Sequence, residues 1–283
     1  MRPLAVIPTA TSPADGGAAS IAWDPAGGRI DRAALASNGP FHGVVHLGGA
    51  GIGDKRWTQA RRREIRSSRI DSTDLLAREI IRLEPPPDVF VVASAIGYYG
   101  DRGSETLTEE SAAGDGFLAQ LCQQWESATI PASEAGVRVV YLRSGIVLSV
   151  RGGPLARLLP LFRLGLGGRL GNGRQFLSWI SLDDEVGVIR HAIANPALTG
   201  PLNATAPEPV TNAAFTKALG RVVHRPALFV VPRPALALAL GADLANEMLL
   251  ASQRVMPEKL TSSEFSFVHP RLESALTTLM EEH

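Results

Sequence analysis

The sequence predicts an α/β fold: a Rossmann-like doubly wound parallel sheet with a small C-terminal α/β lobe. Three observations carry this expectation. Residues 43–47 (GVVHL), 89–93 (VFVVA) and 137–142 (VRVVYL) are apolar, β-branched runs, as expected for strands buried on both faces. Segments with helical spacing separate them, so strands and helices alternate, the pattern of a parallel sheet. The runs also end in glycines and small polar residues, at the carboxyl ends where open α/β sheets bind ligands.

Taken in order, residues 4–7 and 20–23 read as short strands with no helix between them, and Asp24-Pro25 with Gly27-Gly28 makes a turn. Residues 31–36 supply a turn of helix. The strand at 43–47 exits into Gly48-Gly49-Ala50-Gly51-Ile52-Gly53, where glycines let the backbone pass close to a ligand. Residues 57–83 read as two helices. The first carries Arg61, Arg62, Arg63, Arg66 and Arg69; the second has an apolar face of Leu75, Leu76, Ala77, Ile80 and Ile81. Glu64, Asp71, Asp74 and Glu79 interleave with the arginines, which favours a solvated face over a nucleic-acid surface.

The strand at 89–93 leads to Ser94, Tyr98, Tyr99 and Gly100, the polar cluster around which the chain is organised. Residues 117–128 form a helix burying Phe117, Leu121 and Trp125 at steps of four, and Gly136 stops its continuation. Residues 137–142 are a strand with Arg143-Ser144-Gly145 at its exit. A helix at 155–164 opens into GLGGRLGNGRQ, residues 165–175, which lacks the Gly-Lys-Ser/Thr ending of a phosphate-cradling loop and predicts a mobile lid. A strand at 176–181 follows, and then Asp183-Asp184 open and cap a helix reaching about residue 195. After a strand at 201–204, Thr211 N-caps a helix over 212–222. A strand at 228–231, an Ala/Leu helix and a tail with Phe265, Phe267 and Leu272 form the smaller lobe. The expected domains are 1–222, Rossmann-like, and 223–283.

The 283 residues are 45% hydrophobic, enough to bury a large core. A formal net charge of zero points to no nucleic acid and no membrane surface as partner. A single cysteine, Cys122, excludes an intramolecular disulfide framework. The start lacks the apolar core of a signal peptide, so a cytoplasmic protein is expected. No metal site is expected: His42 and His46 would stand about 13 Å apart along one strand, too far to share an ion. Ser94 lies in Ala-Ser-Ala and lacks the flanking glycines of a serine-hydrolase elbow.

HLGGAGIG, RW with its arginine-rich helix, ASAIGYYGDRG, GDGFL with WE, LRSGIVLS, FLSWISLDD, SQRVMPEKL and FSFVHP run in this order from about Trp23 to the C-terminus. In them the chain resembles an atypical branch of the extended short-chain dehydrogenase/reductases, the epimerase-family proteins, which carry a C-terminal domain of their own. The resemblance implies a Rossmann domain binding NADP(H) or NAD(H), NADP favoured, and an oxidoreductase or epimerase acting on a small-molecule substrate. It further implies that Gly48, Gly49 and Ala50 lie along the cofactor, Ser94 near the nicotinamide ribose, and Arg143, Ser144 and Gly145 at or beside the nicotinamide.

Two departures qualify the resemblance. The wider superfamily uses a helical Tyr-x-x-x-Lys pair, in which the lysine lowers the tyrosine pKa and holds the ribose. Here the only lysines are Lys55, Lys217 and Lys259, none four residues after a tyrosine, and the helix where the pair belongs offers Phe117 and Leu121. Ser94 with Tyr98 or Tyr99 is the remaining acid–base set, and Arg102 follows Tyr98 at the lysine's spacing but in a loop. A non-catalytic dinucleotide sensor or scaffold is the competing class. Second, the strand, Gly-x-x-Gly-x-x-Gly turn and helix that hold a pyrophosphate have no match before Trp23. The chain is therefore expected to start about one β–α unit late, and to bind NADP(H) more weakly than a chain with that unit.

Overall fold

The computed structural model describes residues 20–281. The expected strand at 4–7 and Gly16-Gly17 lie outside them. The central sheet is built from strands β1 (Gly43–His46), β2 (Val89–Ala95), β3 (Arg138–Ser144) and β4 (Gly200–Ala204), all parallel, in the order β4-β3-β2-β1. Among the described residues β1 is the outer strand on its side. The segment expected as a strand at 20–23 forms a short hairpin instead, Trp23–Asp24 against Arg29–Ile30, turning at Asp24-Pro25 and Gly28.

Helices cover both faces, as doubly wound sheets require. Helices α1 (Gln59–Ile80) and α2 (Phe117–Ser127) lie on one side, where Leu76, Ala77, Ile80 and Trp125 meet Phe90 and Val92 of β2. Helix α3 (Leu182–Ala194) lies on the other, where Val188 and Ala192 meet Val89, Val91, Val140 and Leu142. Alternate residues of β2 thus enter opposite cores, and each fully buried Val, Leu or Ile contributes about 1.5–3 kcal/mol.

Three expectations change on inspection. Where two helices are expected over 57–83 there is one, α1, because no glycine or proline interrupts positions 59–80; Thr58 caps it by accepting a hydrogen bond from the Arg61 amide at 3.1 Å. Its arginines are not all solvated: Arg61 and Arg69 are buried. Third, the glycine-rich stretch 165–175 is tied down. Gly168–Leu170 pairs in parallel with Phe229–Val231, and Gly171 and Gly173 take positive φ to turn out of that strand.

The C-terminal helix Leu272–Glu281 buries Leu272, Leu276 and Leu279 against Leu155, Phe162, Phe215 and Leu219. Ser181, not the aspartates, is the N-cap of α3. The buried Asp184 carboxylate instead accepts the amides of Val268 (2.7 Å) and His269 (3.0 Å), fastening the tail to α3. No helix among the described residues is long and apolar enough to cross a membrane, and none of their His, Cys, Asp and Glu side chains cluster in threes to hold a metal ion.

Candidate active site at the strand exits

The exits of β2 and β3 face a cavity of about 170 Å³. Ala95, Ile96 and Gly97 line it from β2, and Ser144 and Gly145 from β3. Helix α2 adds Leu118, Leu121 and Cys122, and α1 contributes Arg69. A larger cleft of about 580 Å³ shares Gly97, Leu118, Glu247 and Gln253 with it and extends past Asp101, Asp115, Arg233 and Asn246. Gly145 could not be another residue here, because a Cβ would stand 2.6 Å from the Ser178 carbonyl oxygen.

One residue back along the strands the chemistry differs. Ser94 and Arg143 are paired in register, so their side chains share a face. They meet Glu126 of α2. The Ser94 hydroxyl donates to Glu126 Oε1 at 2.7 Å, and the Arg143 guanidinium donates to both carboxylate oxygens at 2.9 Å each. Arg143 also donates to the Tyr99 hydroxyl at 3.1 Å, and that hydroxyl donates to Asn203 Oδ1 at 2.7 Å. All five residues are buried. Burial alone would lower the Arg143 pKa, but the Glu126 carboxylate outweighs it and the guanidinium stays charged. Burial pushes the Tyr99 phenol up to about 12, against the opposing pull of Arg143.

The structure therefore separates the expected site residues. Ser144 and Gly145 line the cavity. Ser94, Tyr99 and Arg143 do not: their hydrogen-bonding groups are engaged in the network behind it. Tyr98 is half-buried, its ring lies 3.4 Å below the Arg143 guanidinium, and its hydroxyl makes no hydrogen bond among the described residues. Gly48 and Gly49 are exposed on the loop after β1, and Ala50 is half-buried beside them. That loop is held against α1: the Ala50 amide donates to Ser68 Oγ at 3.0 Å, and its carbonyl accepts from Arg69 Nη1 at 2.9 Å.

Sequence reasoning missed two polar groups. Arg69 was counted with its neighbours as a surface charge. Glu185, one turn into α3, accepts the Ser144 hydroxyl at 2.6 Å, and its other oxygen is buried without a partner. Burial raises its carboxyl to about 7, only partly opposed by Ser144. Cys122 is buried too, and burial lifts its thiol to about 12, so it is a packing residue and not a nucleophile.

A family model described as a domain of unknown function, DUF1731, matches residues 231–279. An epimerase family protein of Mycobacterium bovis is 46% identical over 254 residues, covering 90% of this chain and 82% of the relative. The human epimerase family protein SDR39U1 is 34% identical over 266 residues, covering 92% and 90%. A crystal structure of that human protein with NADPH superposes with a TM-score of 0.83 at 32% identity, over 89% of this chain and 86% of the other. A UDP-glucuronic acid 4-epimerase from Bacillus cereus, solved with NAD, shares the fold at a TM-score of 0.73 and 14% identity. With its parallel sheet wrapped by helices and relatives matched over 82% and 90% of their length, the chain belongs to the epimerase family proteins, an atypical branch of the short-chain dehydrogenase/reductases.

Proposed function

We propose that this chain is an NAD(P)-dependent oxidoreductase or epimerase acting on a small molecule in the cytoplasm, with NADP(H) the favoured cofactor. The observation that carries the reading is the cavity at the exits of β2 and β3, walled by Ala95, Gly97 and Gly145 and provided with one buried cation, Arg69. Small residues there leave room for a flat ring, and the human relative was crystallised with NADPH. When bound, a nicotinamide supplies or accepts a hydride. The residues of the chain do the rest: the strand exits position the ring, and the adjoining 580 Å³ cleft between Gly100-Asp101 and Arg233 takes the substrate. Of the three tyrosine and serine hydroxyls expected for proton transfer, Tyr98 alone is uncommitted, and it is the proton-transfer group of this reading.

Calorimetric titration of NADPH and NADH, with NADPH oxidation followed over a panel of carbonyl compounds, tests the reading. Binding should be lost in a folded Ala95→Leu variant, whose larger side chain fills the cavity; binding that survives would put the cofactor elsewhere. A second reading, a dinucleotide sensor without turnover, is favoured by one feature: Phe117 and Leu121 stand in α2 where the Tyr-x-x-x-Lys pair belongs. Tight binding with no oxidation of NADPH across the panel would support it.

A further inference from the structure

Arg69 is 7% exposed, yet among the described residues it has no carboxylate within ion-pair distance. Its Nη1 donates to two backbone carbonyls, Ala50 at 2.9 Å and Ile65 at 3.2 Å, and its buried Nε has no hydrogen-bond partner among the described residues. The other strongly buried arginines among the described residues are paired with a carboxylate: Arg143 with Glu126, and Arg61 with Glu64 at 2.7 Å. A buried cation without a counter-charge is costly, and sites that hold one are commonly completed by a ligand. Arg69 lies on the cavity wall, its guanidinium carbon 5.0 Å from the centre of the Trp125 ring. The loop after β1 is shaped to it: a Cβ at Gly49 would come within 2.8 Å of that carbon. Burial, with the Arg69 charge acting in the same direction, holds His46 down at about 4.

We infer that Arg69 is the positioning cation of the nicotinamide half-site, donating to the nicotinamide ribose hydroxyls from α1 in place of the lysine that α2 lacks. The inference rests on the dinucleotide reading above. It is supported by placement: Arg69 faces Trp125 and shares the cavity wall with Leu121 and Cys122, the stretch of α2 where the lysine belongs, and with Ser144-Gly145 opposite. A guanidinium holds its charge at any working pH and donates through several N–H groups, so two vicinal hydroxyls suit its fork. Unlike lysine at that position, it stays a fixed electrostatic and hydrogen-bonding partner and does not exchange protons.

The test titrates NADPH, reduced nicotinamide mononucleotide and 2′,5′-ADP into the parent chain, Arg69→Gln and Arg69→Lys, with thermal melting of each protein alone. Arg69→Gln should weaken NADPH and the mononucleotide by about 10- to 100-fold and leave 2′,5′-ADP unchanged, the size expected for one or two charge-assisted hydrogen bonds. Arg69→Lys should recover part of that loss. A folding defect would lower all three ligands together with the melting temperature, and would reduce Arg69 to a structural residue. Unchanged NADPH affinity in Arg69→Gln overturns the inference, as does a loss confined to 2′,5′-ADP, which would place Arg69 at phosphate. If the parent chain binds none of the three, the dinucleotide reading itself fails, an outcome visible before any variant is compared.

Discussion

Two buried arginines, Arg143 and Arg69, stand within the same hundred-residue span and do opposite things. Arg143, 3% exposed, is gripped by a two-pronged carboxylate and a phenol and packs on the Tyr98 ring; Arg69, 7% exposed, donates to backbone carbonyls and faces an aromatic ring. The first arrangement is complete within the protein and rigidifies the sheet behind the site. The second is complete only when something enters the cavity. Burial and charge by themselves do not mark a functional residue; what the rest of the molecule leaves unpaired does.

The largest effect should come from breaking the complete arrangement. Glu126→Ala leaves Arg143 charged, buried and unpaired, and should destabilise the fold by about 3–5 kcal/mol. Urea unfolding measures it. A loss below about 1 kcal/mol would mean that solvent reaches Arg143, and the contrast between the two arginines would collapse.

Glu185 comes next because it joins the strand exit to α3. Its carboxyl titrates near 7 in the fold and near 4.5 when unfolded, so the protonated form is the one the fold prefers. The stability it gives is fully present below about pH 4.5 and is lost as pH rises through about 7. Glu185→Gln removes that loss: at pH 8 the variant should be more stable than the parent by about 3 kcal/mol, and at pH 4 the two should match. Parallel stability–pH curves for the two proteins would show that Glu185 is not the group responsible.

How far the sequence could be read depends on the range of the contacts. The strands were legible because a β-branched run declares its burial locally, and the N-cap Thr211 needed only its own helix. The 165–175 stretch was misread because Gly168–Leu170 becomes a strand only through Phe229–Val231, some sixty positions on. The network around Ser94, Tyr99 and Arg143 was not legible, because the residues that hydrogen-bond them, Glu126 and Asn203, stand on other elements far along the chain. Arg69 could have been found. Arg61, Ile65, Arg69, Thr73 and Ala77 follow one another at steps of four and are all buried, so two of the arginines sat on the apolar face of their helix from the start.

A smaller effect is expected at Tyr99. Tyr99→Phe removes a donor from Asn203 and an acceptor from Arg143 without changing the packing volume, and should cost about 1–3 kcal/mol in thermal or urea unfolding. NADPH affinity should not change, since the phenol does not reach the cavity. A selective loss of cofactor binding in a stable Tyr99→Phe protein would move this residue from the network behind the strands to the site in front of them.

The smallest change in stability, and the most informative for chemistry, belongs to Tyr98. Its ring packs edge-to-face on Tyr99 with centroids 5.3 Å apart and lies under the Arg143 guanidinium, contacts that phenylalanine keeps. Its hydroxyl has no partner to lose, so Tyr98→Phe should leave stability within about 0.5 kcal/mol of the parent. NADPH affinity should likewise hold, because Tyr98 is not on the cavity wall. Turnover is where the two neighbouring tyrosines part. If Tyr98 carries the proton, the Phe variant should lose about 10²- to 10⁴-fold in rate, the usual contribution of a positioned acid or base. Tyr99→Phe should lose far less. Equal rates in the Tyr98→Phe variant and the parent would exclude Tyr98 as the proton donor and point to Ser144, which lines the cavity at the exit of β3 and is hydrogen-bonded to Glu185.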